Sequence, residues 1–198
     1  MDKQVIIAIN REFGSDGHII ARMIAEQLGM EIYDRALLDK LSENMNVDAD
    51  YLEKYDEKPK GLFSKRVMGE SSSFEENLAL MQFDYLKQRA AEGESFVVVG
   101  RCAGSVLKDY PGLIRIFISA DMKDKVARTM AKHNISEDRA ILKINRHDAK
   151  RKSYHNTYSD YKWGDSRHYD ICINNSKLGI EKTASILVEF IKGMIDNF

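Results

Sequence analysis

Residues 4–27 read QVIIAINREFGSDGHIIARMIAEQ, a stretch whose three parts together indicate an α/β fold. Residues 5–9 are a short, β-branched apolar run, which is typical of a strand buried on both faces. Residues 10–17 are polar and carry two glycines three positions apart, so that their backbone N–H groups can turn toward one point. From His18 to Leu28 the apolar residues recur at helical spacing. A strand, a glycine-bearing loop and a helix N-terminus in this order favour an anion, because the free N–H groups and the helix dipole both attract negative charge.

The loop departs from the phosphate-binding pattern GxxxxGK[ST] at three positions. Counted back from Gly17, the first glycine position holds Glu12, the lysine position holds His18 and the hydroxyl position holds Ile19. The residues alone therefore leave a phosphate site and an ordinary strand-to-helix turn as alternatives. For His18 the favoured interpretation is an exposed residue at the helix start, since neutral histidine replaces lysine poorly, although a bound phosphate would favour the charged ring.

Composition and charge restrict the class of protein. The chain has 198 residues, enough for one α/β domain with a core, and we expect a single domain over residues 1–198. Its net charge of −1 gives no overall attraction to nucleic acid or to an anionic membrane, and no apolar stretch approaches the roughly 20 residues of a membrane span. Cys102 and Cys172 lie far apart beside apolar residues, which indicates reduced thiols and a cytoplasmic location. The five histidines are not clustered at ligand spacing, so no metal site built from protein ligands is predicted.

Short apolar runs alternate with helical patterns through the rest of the chain. Further strands are predicted at residues 32–34, 96–100, 114–119 and 169–173, and helices at residues 74–92, 121–133, 136–155 and 178–197. This alternation predicts a five-stranded parallel sheet with helices on both faces, a three-layer α/β/α fold. At about residues 57–74 the pattern dissolves into a basic segment with a serine triplet, which is either a mobile functional segment or a plain flexible connection.

Polar residues follow three of the predicted strands at the points where the strands end. They are the loop of residues 10–17, Asp34 with Arg35, and Gly100 with Arg101. Since ligands of such sheets bind beyond the carboxyl ends of the strands, we expect these groups near one crevice. This position favours an anion-binding role for Arg101 over a surface salt bridge, whereas Asp34 fits a helix N-cap and a substrate-facing carboxylate equally well.

Several segments spread over the chain match the motifs of one known family. They are residues 10–17 (NREFGSDG), 28–35 (LGMEIYDR), 97–103 (VVVGRCA), 161–165 (YKWGD), 169–174 (YDICIN) and 178–181 (LGIE). Together they resemble the cytidylate kinase-like family, relatives of the P-loop nucleoside monophosphate kinases, and the match runs in order through nearly the whole chain. The resemblance implies a P-loop NTPase-type fold with a helical lid at about residues 136–168, an acceptor segment at about residues 57–74, and ATP, Mg²⁺ and CMP or dCMP as ligands.

The resemblance also implies roles for residues at the matching positions. Arg101 matches the arginine that holds the acceptor's phosphate, and Arg151, three residues after Asp148, matches the lid arginine that acts on the transferring phosphoryl group. Lys40 falls where the family carries an acceptor-phosphate arginine. The resemblance implies an ATP phosphate site at Gly14, Ser15, Asp16 and Gly17, and we add His18, which follows the loop directly. The predicted catalytic residues are Arg101, Arg151 and Arg11, the last because it lies beside the loop. The predicted acceptor site comprises Lys40, Arg101 and Asp148, together with Asp34 and Arg35, which follow a strand at its carboxyl end.

The sequence also departs from true cytidylate kinases. The loop lysine and hydroxyl residue are replaced, and Cys102 stands where those enzymes carry an aspartate. Three hypotheses therefore remain: phosphoryl transfer from ATP to CMP or dCMP, the same chemistry on a different small acceptor, and a nucleotide-binding regulatory module that has lost catalysis. All three predict nucleotide partners and neither nucleic acid nor a membrane, and a homodimer stays an open arrangement. The basic run at residues 143–152 is interpreted as part of the lid rather than a solvated helix face, and Trp163 as a packing anchor rather than a nucleotide contact.

Overall fold

The computed structural model describes residues 3–34, 37 and 74–198, with the side chains of residues 74 and 75 excepted. Several predictions fall outside this part of the chain: Arg35, Lys40 and nearly all of the acceptor segment at residues 57–74.

Five parallel strands form one sheet within the described residues. They are β1 (Ile6–Arg11), β2 (Glu31–Tyr33), β3 (Phe96–Val99), β4 (Leu113–Ser119) and β5 (Ile171–Asn174), in the spatial order β2-β3-β1-β4-β5. The central strand β1 pairs on both sides, so that Ile6 lies opposite Phe96 on β3 and Leu113 on β4. The predicted five-stranded parallel sheet is confirmed. The last strand begins two residues later than predicted, and the carboxylate of Asp170, just before it, accepts the backbone N–H and the guanidinium of Arg115 on β4.

Helices cover both faces of this sheet. They are α1 (Gly17–Leu28), α2 (Phe74–Ala91), α3 (Ala103–Val106), α4 (Met122–His133), α5 (Glu137–Tyr158) and α6 (Ile180–Asp196), with short 3₁₀ turns at Ser166–His168 and Asn175–Lys177. Helix α1 ends at Gly29, whose φ of 63° places it in the left-handed region that glycine adopts without strain. No helix in the described part of the chain is long and apolar enough to cross a membrane.

Two apolar layers hold the helices on the sheet. Alternate residues of β1 point to opposite faces, which is why this strand is apolar throughout. Ile7 and Ile9 belong to the layer beneath α1 and α6, which includes Ile24 and Leu187. The other layer lies beneath α2 and α3, and it contains Ile6, Ala8, Leu86, Phe96 and Leu107. The three-layer α/β/α prediction is confirmed.

Helices α4 and α5 pack on each other beyond the carboxyl ends of the strands. Val126 of α4 and Ala140 and Ile144 of α5 form their apolar contact, and Phe13 of the loop after β1 packs against it. Helix α5 lies within the predicted lid and continues three residues beyond its predicted end, to Tyr158. The fold thus places a pair of helices beside the glycine-bearing loop.

Candidate functional site

A cleft of about 830 Å³ lies where β1, β2 and β3 end, bounded by the glycine-bearing loop, α4 and α5. A volume of this order is typical of small-molecule sites. Most of the predicted site residues that the structure describes line it: Arg11, Gly14, Asp16, Gly17, His18, Asp34, Arg101 and Arg151. Two others do not, since Ser15 is buried inside the loop and Asp148 lies behind it.

The cleft is strongly cationic although the chain as a whole is not. Among the described residues, six arginines and lysines line it against three carboxylates: Arg11, Arg101, Arg128, Lys132, Lys150 and Arg151 against Glu12, Asp16 and Asp34. The net charge of the whole chain is −1. Concentrating cations in a concave surface raises the local potential and attracts anionic ligands.

The loop between β1 and α1 is held in shape by its own polar groups. Gly14 and Asp16 both have left-handed backbone angles, with φ of 75° and 56°. The hydroxyl of Ser15 donates to the carbonyl of Glu12 at 2.8 Å and accepts the N–H of Gly17 at 3.3 Å. Ser15 therefore shapes the loop from inside, and its hydroxyl does not face the cleft.

Helix α4 closes the loop from the other side. A Cβ at Gly14 would lie 3.1 Å from the carbonyl oxygen of Lys125, so the glycine permits this close approach. Arg128 pairs with Asp16 at 2.9 Å, and it donates to the carbonyl of Gly14 at 3.2 Å. It also donates to Asn175 at 3.1 Å, and Asn175 in turn donates to the carbonyl of Ser15.

The sequence analysis missed Lys125, Arg128 and Lys132, which reach the loop or the cleft from α4. A signal for them was present, since positions 125, 128 and 132 recur at helical spacing and lie on one face. These residues also follow a strand at its carboxyl end. A basic stripe in that place indicates the same crevice as the glycine loop.

His18 and Asp34 contact each other across the cleft. The Nε2 of His18 is hydrogen-bonded to Oδ2 of Asp34, and Nη2 of Arg22 lies 3.4 Å from the same oxygen. The His18 side chain is 46% exposed, whereas that of Asp34 is 5% exposed. The Asp34 carboxylate thus faces two basic side chains of α1, and its backbone carbonyl accepts the N–H of Leu37.

Arg101, after β3, and Arg151, on α5, line the same small cavity. Arg101 is only 4% exposed, and its φ of 56° is unusual for a residue with a side chain. The Nη1 of Arg151 donates to the carbonyl of Arg11 at 3.3 Å. Both arginines line a cavity of about 10 Å³ together with His155, whose burial lowers its pKa to about 4. His155 is therefore a neutral neighbour of the two cations near neutral pH.

A flat aromatic wall borders the cleft beside these cations. The ring of Phe13 stacks on that of His147 at 4.4 Å between centroids and an interplanar angle of 13°, and the ring of His133 is nearly parallel at 6.3 Å. Burial, and then the charges of Arg151 and Lys143, lowers the pKa of His147. A neutral planar wall beside a cationic crevice suits a ligand that combines a planar ring with phosphates.

Trp163 packs into an aromatic cluster and is only partly buried. Its ring contacts that of Phe117 edge-on at 5.2 Å between centroids, and Phe117 packs in turn on Tyr161 and Tyr169. The predicted packing of Trp163 is confirmed, and its side chain also lines the small cavity with Arg101 and His155. Gly164, with a φ of 75°, lets the chain turn closely over the Phe117 ring.

The carboxylates of the cleft are already engaged by cations. Glu12 pairs with Lys125, Asp16 with Arg128 and Asp34 with Arg22, and Asp34 is also hydrogen-bonded to His18. Within the described ranges, no group of three or more His, Cys, Asp or Glu residues is arranged to hold a metal ion.

Comparisons with known proteins agree with this geometry. The model of the cytidylate kinase-like family matches residues 6–177. A solved structure of an uncharacterized protein from Eubacterium ventriosum is 34% identical, covers 96% of this chain and 99% of its own, and superposes with a TM-score of 0.76.

More distant solved structures share the fold. A shikimate kinase from Bacteroides thetaiotaomicron is 15% identical over 95% of this chain and 98% of its own, with a TM-score of 0.54. A gluconokinase from Sinorhizobium meliloti is 10% identical over 99% of this chain and 95% of its own, also with a TM-score of 0.54. A search among curated proteins finds no match.

Proposed function

The chain belongs to the cytidylate kinase-like family, and from this premise we propose that it transfers the γ-phosphoryl group of ATP to a small acceptor, with CMP or dCMP as the first candidate. The observation that carries the proposal is the cleft, in which a glycine-bearing loop at a helix N-terminus faces a surplus of arginines and lysines. Phosphoryl transfer depends mainly on positioning and on positive charge around the transferring group, and the cleft provides both.

The proposed roles follow from where the side chains lie. The loop from Gly14 to His18 holds the ATP phosphates through those backbone N–H groups that its internal hydrogen bonds do not use, and through the positive end of α1. Arg101, at the end of β3, holds the acceptor. Arg151 and Arg11, which contact each other, neutralise the charge on the transferring group. Arg35 and Lys40 stay predictions for the acceptor site.

Magnesium enters this proposal as part of the substrate. ATP in solution carries Mg²⁺ on its phosphates, and the cation offsets the charge that develops between the leaving and the entering oxygens. The loop offers no hydroxyl directly after His18, where Ile19 is 49% exposed. We therefore expect the dependence on Mg²⁺ to follow the MgATP complex rather than a separate protein-bound ion.

The test is an acceptor panel. ATP consumption in the presence of Mg²⁺ would be measured with CMP, dCMP, UMP, AMP and GMP, beside a control without acceptor. ADP formation that depends on an acceptor, highest for CMP or dCMP, is the expected result. Equal rates with and without every acceptor would contradict kinase activity toward nucleoside monophosphates.

A second candidate function is a nucleotide-binding module without catalysis. The observation in its favour is the hydrogen bond of His18 to Asp34, because the residue in the lysine position is directed toward a carboxylate. Calorimetry with ATP, and with its non-hydrolysable analogue, separates the candidates. Tight ATP binding that is independent of metal, together with silence across the acceptor panel, would favour the module or an acceptor that is not a nucleotide.

A further inference from the structure

A buried lysine lies behind the glycine-bearing loop, outside the cleft. Lys125 of α4 is 3% exposed. Its Nζ donates to Oε2 of Glu12 at 3.1 Å and to Oδ2 of Asp148 at 2.9 Å. Because burying a charged amine is unfavourable unless it is paired, these two carboxylates allow the lysine to lie there.

The two carboxylates belong to different elements, and each makes a second contact. Glu12 is in the loop, and its Oε2 also accepts the N–H of Ala120, just after β4, at 3.3 Å. Asp148 is on α5, and its Oδ1 accepts the N–H of Phe13 in the loop at 2.7 Å. Lys125 thus joins the loop, α4 and α5 through one ammonium group.

The position of Asp148 on α5 connects this ion triad to the cleft. Arg151 follows Asp148 by three residues and therefore lies on the same face of the helix. Its guanidinium carbon is 5.9 Å from the centre of the Phe13 ring, and the side chain lines the cleft. The direction of Arg151 depends on the rotation of α5 about its axis, which Asp148 fixes against Phe13.

The exposure of the Lys125, Glu12 and Asp148 side chains predicts how a lysine that only stabilises the fold would differ from one that also positions Arg151. The side chains of Glu12 and Asp148 are 26% and 17% exposed, so both reach water without the lysine, whereas the Lys125 side chain is 4% exposed. Removing one member of a buried ion group destabilises a fold when its partners stay buried, but here both carboxylates can be hydrated instead. A purely structural Lys125 would therefore lower Tm on replacement by methionine and leave kcat unchanged.

We propose that Lys125 is a positioning residue, which holds α5 against the phosphate loop and so directs Arg151 at the transferring group. This inference rests on the proposed function for its kinetic part. Its structural part, the anchoring of Asp148 on the N–H of Phe13, does not depend on activity. This role also explains why Glu12 stands where the phosphate-loop pattern has its first glycine, because Glu12 is the loop residue whose side chain contacts Lys125.

The experiment compares Lys125→Met, Lys125→Arg and Lys123→Met, the last being an exposed lysine on the same helix. Hydrogen exchange of the Phe13 amide would be measured in each, together with kcat, KM and Tm. We expect Lys125→Met to speed exchange about tenfold, since an anchored amide opens only through local unfolding. We expect kcat to fall by about tenfold to a hundredfold with KM for ATP within about threefold, because a positioning defect acts on the transition state. We expect Lys125→Arg to keep most of the protection of the Phe13 amide and most of kcat. Lys123→Met should match the unaltered protein in both measurements.

The outcomes distinguish this inference from the proposed function. If the unaltered protein transfers no phosphoryl group, the proposed function fails and the exchange measurement alone decides on Lys125. Unchanged exchange and unchanged kcat in a folded Lys125→Met variant would overturn the inference. If that variant does not fold, Glu12→Gln combined with Lys125→Met removes one carboxylate together with the lysine and is measured instead. If neither the single nor the double variant folds, the three charged groups serve the stability of the fold, and the inference is also overturned.

Discussion

Two turns lie side by side at the carboxyl edge of the sheet, one after β1 and one after β3. Each enters a helix through a residue with a side chain in the left-handed region, Asp16 with φ of 56° and Cys102 with φ of 51°. The turn after β1 contains Gly14, and polar contacts from Arg128 and Asn175 hold it. The turn after β3 instead places two such residues in succession, because Arg101 also has a φ of 56°.

The difference lies in what stabilises each conformation. Left-handed angles cost roughly 1–2 kcal/mol for a residue with a Cβ, so the turn after β3 carries the larger strain. Arg101 and Cys102 are 4% and 1% exposed, and Cys102 packs with Phe83 and Tyr154. The turn after β3, which also contains Gly100 with a φ of 81°, thus holds its two strained residues by burial, whereas side-chain hydrogen bonds from Arg128 and Asn175 hold the turn after β1. A strained arginine in a cleft is typical of a functional position, and four changes test this comparison.

The largest effect is expected from Arg101→Ala. We expect kcat/KM to fall by about a hundredfold or more, which corresponds to about 3 kcal/mol, because the variant loses the guanidinium that we propose holds the acceptor. Fold and Tm should be largely kept. The control is Arg167→Ala, whose side chain is 81% exposed and pairs with Asp165 away from the cleft. Unchanged turnover in Arg101→Ala would remove this residue from the site.

A smaller loss, of stability, is expected when glycine is removed from the turn after β1. Gly14→Ala adds both a left-handed alanine and a Cβ 3.1 Å from the Lys125 carbonyl oxygen, and we expect it to lower the free energy of unfolding by about 2–3 kcal/mol. Gly29→Ala is matched in backbone angle but meets open space, and it should cost only about 1 kcal/mol. Urea unfolding of both variants measures the difference. Equal losses would show that the close approach of α4 to the loop contributes nothing.

The pKa of His155 reports whether water reaches the turn after β3, because His155 lines the same cavity as Arg101 and Cys102. Burial lowers its pKa from the ordinary 6.5 to about 4, so between these values the unfolded chain binds a proton that the folded protein does not. Stability is therefore complete above about pH 6.5 and falls as the pH is lowered toward 4. His155→Gln should remove about 2 kcal/mol of the difference in unfolding free energy between about pH 7 and pH 5. Parallel pH profiles of the variant and the unaltered protein would contradict a dry environment.

The smallest effect is expected between two substitutions of Arg101, which both remove the guanidinium but differ in backbone strain. Arg101→Gly and Arg101→Ala both lack the guanidinium and should be equally inactive. Glycine adopts a φ of 56° without a Cβ clash, so Arg101→Gly should be more stable than Arg101→Ala by about 1 kcal/mol in urea unfolding. If the alanine variant proves equally stable, the turn after β3 is not strained.

Several parts of the fold were predictable because their signals are local. The apolar run before Asn10 and the run that includes Val98 are too short and too β-branched for helices, and both form central strands. Gly29 ends α1 as its sequence position indicates. Because ligands of such sheets bind beyond the carboxyl ends of the strands, the sequence also predicts that the glycine loop, Asp34 and Arg101 lie near one cleft.

Other parts were beyond local reasoning. Arginine and cysteine have no preference for left-handed angles, so nothing in Gly100-Arg101-Cys102 indicates two strained residues in succession. Asp148 matched a lid motif, yet its contacts in the structure are to Phe13 and Lys125, and its acceptor-binding role stays a prediction. His18 was expected at the helix start, but its hydrogen bond to Asp34 depends on how closely β2 ends beside α1.

The sequence by itself determined the order of strands and helices, the glycine-bearing loop and the family, because each is written in spacings of a few residues or in motifs along the chain. Only the tertiary structure decided how the cations are distributed. Lys125, Arg128, Lys150 and Arg151 lie far along the chain from Glu12 and Asp16, and they meet these carboxylates or the cleft through the packing of α4 and α5. Ion pairs form only between groups that lie a few ångströms apart in space, whereas strands and helices are predicted from the spacing of apolar residues along the chain. The sequence pattern therefore determines the scaffold, and the packing of the helices on it determines the site.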